Sequence, residues 1–166
     1  AVGIAMRVPI NGMAERISRY QAVGMRQRLE TGPAGSQVIN DAYNANPLSM
    51  KVALETLASL PSGRRIALLG DMLEMGEASE SAHRDIARLA INLDIDIVGL
   101  VGPAFGAIVP DLRPMNSTLL SAETAETIAE ELRGRIETND LILLKGSRGM
   151  AMERILRILR SEEDVI

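Results

Sequence analysis

From Val38 onward, short apolar runs alternate with amphipathic segments of helical length, and this alternation limits the fold more than any other feature. Arg65–Gly70 (RIALLG), Ile95–Val101 and Leu141–Leu144 read as buried strands, and Ser117–Leu120 as a further one. Between them, Met50, Ala53, Leu54, Leu57 and Leu60 fall on one face of a helix over Leu48–Leu60. The next helix presents Ile86, Leu89, Ala90 and Leu93, with Ser79 or Ser81 as its cap. Gly102-Pro103 opens a short helix. Another is expected over Ala125, Ile128, Ala129, Leu132 and Ile136, and a last one over Met152, Ile155, Leu156 and Leu159. Strand-helix alternation of this kind specifies an α/β fold with a doubly wound, mostly parallel sheet. Gln27–Glu30 and Gln37–Asp41 flank a loop of Thr31, Gly32, Pro33, Ala34, Gly35 and Ser36, which adds an antiparallel edge hairpin. Met13–Tyr20 reads as a short helix ahead of it. The sequence opens on Ala1 as if a helix were already under way, so a piece of a longer protein is expected.

Composition narrows the function classes. Aromatic residues make up only 2% of the 166, so the core must be built from aliphatic side chains and Met, as in helix-covered parallel sheets. Sixteen of the eighteen basic residues are Arg and they are scattered, leaving no basic stripe or aromatic platform for nucleic acid. The absence of Cys excludes disulfides, thiolate metal sites and Cys nucleophiles. No apolar run is long enough to span a bilayer and no export-signal pattern opens the sequence, so a soluble protein is expected, and the lack of Cys is compatible with the cytoplasmic location that the reading below implies.

Chemistry-bearing residues gather at predicted strand ends. Val38–Pro47 passes from a strand through Asp41, Tyr43, Asn44 and Asn46 into a helix with Pro47 in its first turn. The other clusters are Gly70-Asp71-Met72-Leu73-Glu74, Gly102-Pro103 and Lys145-Gly146-Ser147-Arg148. In a doubly wound sheet these C-terminal ends share one edge, where ligands bind. Asp41 reads equally as an Asx-turn residue or as an acceptor for ribose hydroxyls. Asn46 reads as the helix cap, Glu74 as a solvated loop residue and His83 as a structural or surface histidine. Lys145 and Arg148 set two cations beside a helix N-terminus, a favourable place for anions. GxxxxGK[ST], GxGxxG and GxSxG are all missing. A chain with this inventory reads as a binding or catalytic-support domain rather than a complete enzyme.

Three segments carry a resemblance. Asp41-Ala42-Tyr43-Asn44-Ala45-Asn46-Pro47 resembles the DSYNANP signature of the Mur ligases of the MurF type. Gly70–Gly76 is similar to that family's GDMLELG, with His83 at the expected place downstream. Lys145–Arg148 matches KGSR, followed by Glu153. The resemblance implies that residues 32–166 form a Rossmann-like C-terminal ligase domain and residues 1–31 the tail of a central ATPase domain and the junction. It implies an ATP-dependent amide-bond-forming ligase that adds D-Ala-D-Ala to UDP-MurNAc-tripeptide through an acyl phosphate. ATP and Mg²⁺ would be bound mainly by the central domain, and the fragment alone would be inactive. By the same resemblance Asp41, Tyr43 and Asn44 would bind nucleotide, and Arg26 and Lys145 would serve catalysis. Asp71, Ser147 and Arg148 would line the D-Ala-D-Ala side, Arg148 because a guanidinium fork suits a free carboxylate. Gly24-Met25-Arg26 departs from the family's Pro-Gly-Arg, and Asn40 stands where an Asp is common. Two rival readings are a receiver-like signalling module, which needs an Asp where Ile97–Val101 runs into Gly102, and another Mur-like ligase of the MurE or folylpolyglutamate synthase type.

Overall fold

A computed structural model describes residues 27–161. The helix expected over Met13–Tyr20 and the candidate Arg26 lie outside the described residues. Six strands form one sheet: β1 (Arg28–Thr31), β2 (Gln37–Asp41), β3 (Arg65–Gly70), β4 (Ile97–Val101), β5 (Thr118–Ala122) and β6 (Leu141–Lys145). Their spatial order is β1-β2-β6-β3-β4-β5. Only β1 runs antiparallel, pairing with β2 from Arg28 opposite Asn40 to Thr31 opposite Gln37. The expected doubly wound sheet with an edge hairpin is what forms, and β1 belongs to that sheet.

Five helices cover its two faces: α1 (Pro47–Ser59), α2 (Ser79–Asn92), α3 (Pro103–Ile108), α4 (Ala125–Leu132) and α5 (Glu153–Arg160). On one face Met50, Leu54 and Leu57 of α1, Ile86 of α2 and Phe105 of α3 pack on Leu69, Leu100 and Leu143. On the other, Ile128 and Leu132 of α4 and Ile155 and Leu159 of α5 pack on Ile66, Leu68, Ile142 and Leu144. Coverage from both sides explains why β4 and β6 are buried along their whole length and read as continuous apolar runs.

Strand β6 returns from the far edge and inserts between β2 and β3, pairing in parallel with both. Its chain then leaves into α5 on one face, whereas β2 and β3 leave into α1 and α2 on the other. The C-terminal end of β6 is therefore a switch point, the place where doubly wound sheets bind ligands.

Two local expectations are corrected. Neither Ser79 nor Ser81 caps α2: the preceding Ala78 is already helical, Ser81 Oγ donates back to its carbonyl, and Ser79 Oγ lies 3.3 Å from His83 Nδ1. Helix α4 stops at Leu132 rather than reaching Ile136, because the chain turns through Gly134 at φ +67°. Ile136 packs on the same core from the loop beyond.

Candidate functional site

The C-terminal ends of β2, β3, β4 and β6 bring together the polar segments singled out in the sequence. Asp41 and Lys145 are register partners on β2 and β6. Lys145 is 2% exposed, and a buried ammonium needs a counter-charge. Its Nζ donates to Asp41 Oδ2 at 2.5 Å and to the Asn44 carbonyl at 3.1 Å. The other carboxylate oxygen, Asp41 Oδ1, accepts from Gln27 N at 3.2 Å. Asp41 is thus the counter-charge of the buried lysine, with its side chain 13% exposed at the end of β2.

The turn that follows is held by local bonds. Asn46 is the cap of α1: its Oδ1 accepts from Ser49 N at 2.9 Å, and Ser49 Oγ accepts from Asn46 N. Pro47 then sits in the first turn, where its missing N–H is not needed. Asn44 Oδ1 accepts from Ala45 N, and Asn44 and Tyr43 are both exposed on the outer side of the turn.

Asp71, at the end of β3, is 2% exposed. Its two carboxylate oxygens accept the α3 amides of Ala104 and Phe105, each at 2.9 Å. Placed on the substrate side by the sequence, it is turned beneath the N-terminus of α3 in the structure. It meets the remaining site through its main chain, whose carbonyl accepts from Ser147 N at 3.1 Å. Ser147 Oγ in turn accepts from Leu73 N at 2.9 Å, which ties the β3–α2 loop to the β6–α5 loop. Close backbone approach permits this: a Cβ on Gly146 would sit 3.0 Å from Gly70 Cα.

Arg148 is exposed, and its Nη1 donates to Glu153 Oε1 at 2.8 Å, across the first turn of α5. Burial pushes the Glu153 carboxyl up. The Arg148 hydrogen bond, its backbone hydrogen bond and the charges of Arg148 and Arg157 outweigh that and hold it below the ordinary glutamate value. Glu74 is exposed, as its loop-solvating reading requires. His83 is the buried alternative: it is 0% exposed and lies edge-on to Phe105 with centroids 4.6 Å apart.

Sequence reasoning missed two pairings. The Asp71–α3 cap joins groups more than 30 positions apart and has no local signature. At the opposite, N-terminal edge, Arg64 clasps the buried Asp140 through Nε at 3.0 Å and Nη2 at 2.7 Å. The hydrogen bond to Asp140 opposes the cost of burial and raises the Arg64 value. A groove of about 450 Å³ lined by Gln37, Ser62, Gly63 and Asn139 opens beside that clasp. It lies at the wrong end of the strands for a doubly wound ligand site, and Asp140 is consumed by Arg64 and by Glu137 N. A receiver-like reading fails as well, since β4 ends in Gly102-Pro103 and Asp71 is closed off under α3. Among the described residues no helix is long and apolar enough to cross a membrane.

Comparison with known proteins gives this edge its context. A family model described as "Mur ligase, glutamate ligase domain" matches residues 25–148. The UDP-N-acetylmuramoyl-tripeptide–D-alanyl-D-alanine ligase of Bacillus subtilis (strain 168) is 33% identical over 163 residues, which are 96% of this chain and 35% of that protein. A crystal structure of MurF from Acinetobacter baumannii superimposes with a TM-score of 0.83 at 26% identity, covering 96% of this chain and 35% of that one. MurF ligase from Thermotoga maritima in complex with ADP gives 0.73 at 27% identity, covering 87% and 32%. The chain therefore spans about a third of the length of these relatives. Its sheet order, its three strand-end motifs and these matches agree: the chain belongs to the Mur ligase family and carries that family's glutamate ligase domain.

Proposed function

We propose that this chain is the C-terminal domain of an ATP-dependent ligase that joins D-Ala-D-Ala to UDP-MurNAc-tripeptide, acting in the cytoplasm in peptidoglycan precursor synthesis. The observation that carries the reading is the convergence of Asp41, Lys145, Ser147 and Arg148 on one sheet edge, in a chain whose relatives bear that ligase's name. ATP would supply the phosphoryl group that turns the tripeptide carboxylate into an acyl phosphate, which the dipeptide amine displaces to leave an amide, ADP and phosphate.

Within this scheme Asp41 accepts the ribose hydroxyls. A carboxylate has about four lone-pair positions, and Lys145 and Gln27 N use two. Tyr43 and Asn44 line the nucleotide side. By the family resemblance Arg26, outside the described residues, would serve the phosphates. Lys145 supports catalysis from beneath by fixing Asp41 and the Asn44 carbonyl. The Arg148 fork clasps the free carboxylate of D-Ala-D-Ala, with Ser147 and Asp71 holding the loop that presents it. By the family resemblance Mg²⁺ would be held mainly by the preceding domain, and it enters no step here.

The test is an assay of the full-length protein with ATP, UDP-MurNAc-tripeptide and D-Ala-D-Ala, beside the 166-residue chain alone. Amide formation with matching ADP release is expected from the former and none from the latter, which lacks a phosphate loop. A full-length protein that ligates a different amino acid or dipeptide in preference would overturn the reading.

A further inference from the structure

His83 is buried between α2 and the β3–α2 loop, and nothing in the ligation chemistry uses it. We propose that His83 is a positioning residue for the D-Ala-D-Ala side of the site, acting through the main chain of Met72 and Leu73 and through Ser147. This rests on the ligase reading above.

The ring's hydrogen bonds define its state. Its Nδ1 lies 2.6 Å from the Ser79 carbonyl, which can only accept, so Nδ1 carries the proton. Nε2 is then the bare nitrogen, and it accepts from Met72 N at 2.9 Å. Asp71 Oδ1 lies 3.7 Å from Nε2 but is already engaged by Phe105 N. The neutral imidazole is thus a rigid strut between the first turn of α2 and the amide of Met72. One residue on, Leu73 N donates to Ser147 Oγ. One residue before, the Asp71 carbonyl accepts Ser147 N. Three consecutive residues of the β3–α2 loop are therefore fixed by His83 on one side and Ser147 on the other. Arg148 follows Ser147 directly, so the loop's position sets where the guanidinium stands. Asp41 and Lys145 hang on β2 and β6 and do not depend on this strut. That separation gives the role a signature which general destabilisation lacks.

The experiment compares His83→Leu and His83→Gln in the full-length enzyme. Leucine removes the acceptor and leaves Met72 N buried without a partner; glutamine offers one acceptor and one donor. His83→Leu should raise KM for D-Ala-D-Ala roughly tenfold, because a displaced loop misplaces the groups that hold the dipeptide, while KM for ATP stays within about twofold. His83→Gln should recover most of the loss. Equal rises in both KM values, no recovery by Gln, or unchanged kinetics in a folded His83→Leu protein would each overturn the role. If His83→Leu does not fold, Ser147→Ala breaks the next link and should give the same split; an unchanged KM for the dipeptide there defeats the proposal. A wild-type enzyme that does not ligate D-Ala-D-Ala would defeat the functional reading instead. The strut is then judged by hydrogen exchange at Met72 and Leu73, which should quicken in the Leu variant and not in the Gln variant; equal protection in both would overturn it.

Discussion

Lys145 Nζ lies 2.5 Å from Asp41 Oδ2, and the two residues face each other in register on adjacent parallel strands although 104 positions separate them. The sheet register sets this distance, bringing a short carboxylate side chain opposite the lysine. The lysine is buried and its partner is 13% exposed at the end of β2, so Asp41 supplies the counter-charge that the interior cation needs.

Removing Asp41 should therefore do two separable things. Asp41→Ala leaves an unpaired buried ammonium and should cost about 3–5 kcal/mol of stability, read from chemical denaturation. It should also raise KM for ATP in the full-length enzyme. The double variant Asp41→Ala/Lys145→Met should regain most of the stability, since an apolar pair can replace a buried ion pair. It should not regain ATP affinity; recovery of both would remove Asp41 from the nucleotide site.

Gly102 stands at φ +116°, and a Cβ there would lie 2.4 Å from Asp71 Cγ. Gly102→Ala adds backbone strain to a clash with the group that caps α3, so a loss of about 3 kcal/mol or more is expected. Gly146→Ala, which meets Gly70 main chain at 3.0 Å, should cost less, about 1–3 kcal/mol. Thermal melts of the two variants should rank in that order.

Arg148 should show in substrate affinity rather than in folding. Its side chain is 57% exposed, so Arg148→Ala should lower the melting temperature only by the small amount that its hydrogen bond to Glu153 contributes. KM for D-Ala-D-Ala should rise by roughly 10- to 100-fold, the range for losing charge-assisted hydrogen bonds. Arg148→Lys should recover little, because an ammonium cannot form the fork. Full activity in Arg148→Lys would argue for a simple point charge.

Glu153 predicts a pH dependence. Its folded-state value is lowered, because the Arg148 hydrogen bond and its other stabilising partners outweigh burial. Its contribution to stability is thus fully present above the unfolded-chain glutamate value and is lost as pH falls through the lowered folded value. Between about pH 6 and about pH 3 the wild-type melting temperature should fall more steeply than that of Glu153→Gln. Parallel curves would show that the Arg148–Glu153 contact adds nothing.

Element order, the apolar faces of α1, α2 and α5, the Asn46 cap and the placing of polar clusters at strand C-termini are all legible in the linear sequence. Those features rest on side-chain periodicity and on hydrogen bonds that span a few residues, so a linear reading reaches them. The insertion of β6 between β2 and β3, which brings Lys145 to Asp41, is not legible there and follows from packing. Asp71 was legible as a strand-end carboxylate, yet its oxygens are taken by amides of α3 that no local pattern couples to it. Ser79 looked like a cap, but the backbone before it was already helical, and its carbonyl receives His83 Nδ1 instead. Strand order and the partners of buried polar groups follow from how two apolar faces pack, and that packing joins residues too far apart for spacing to encode.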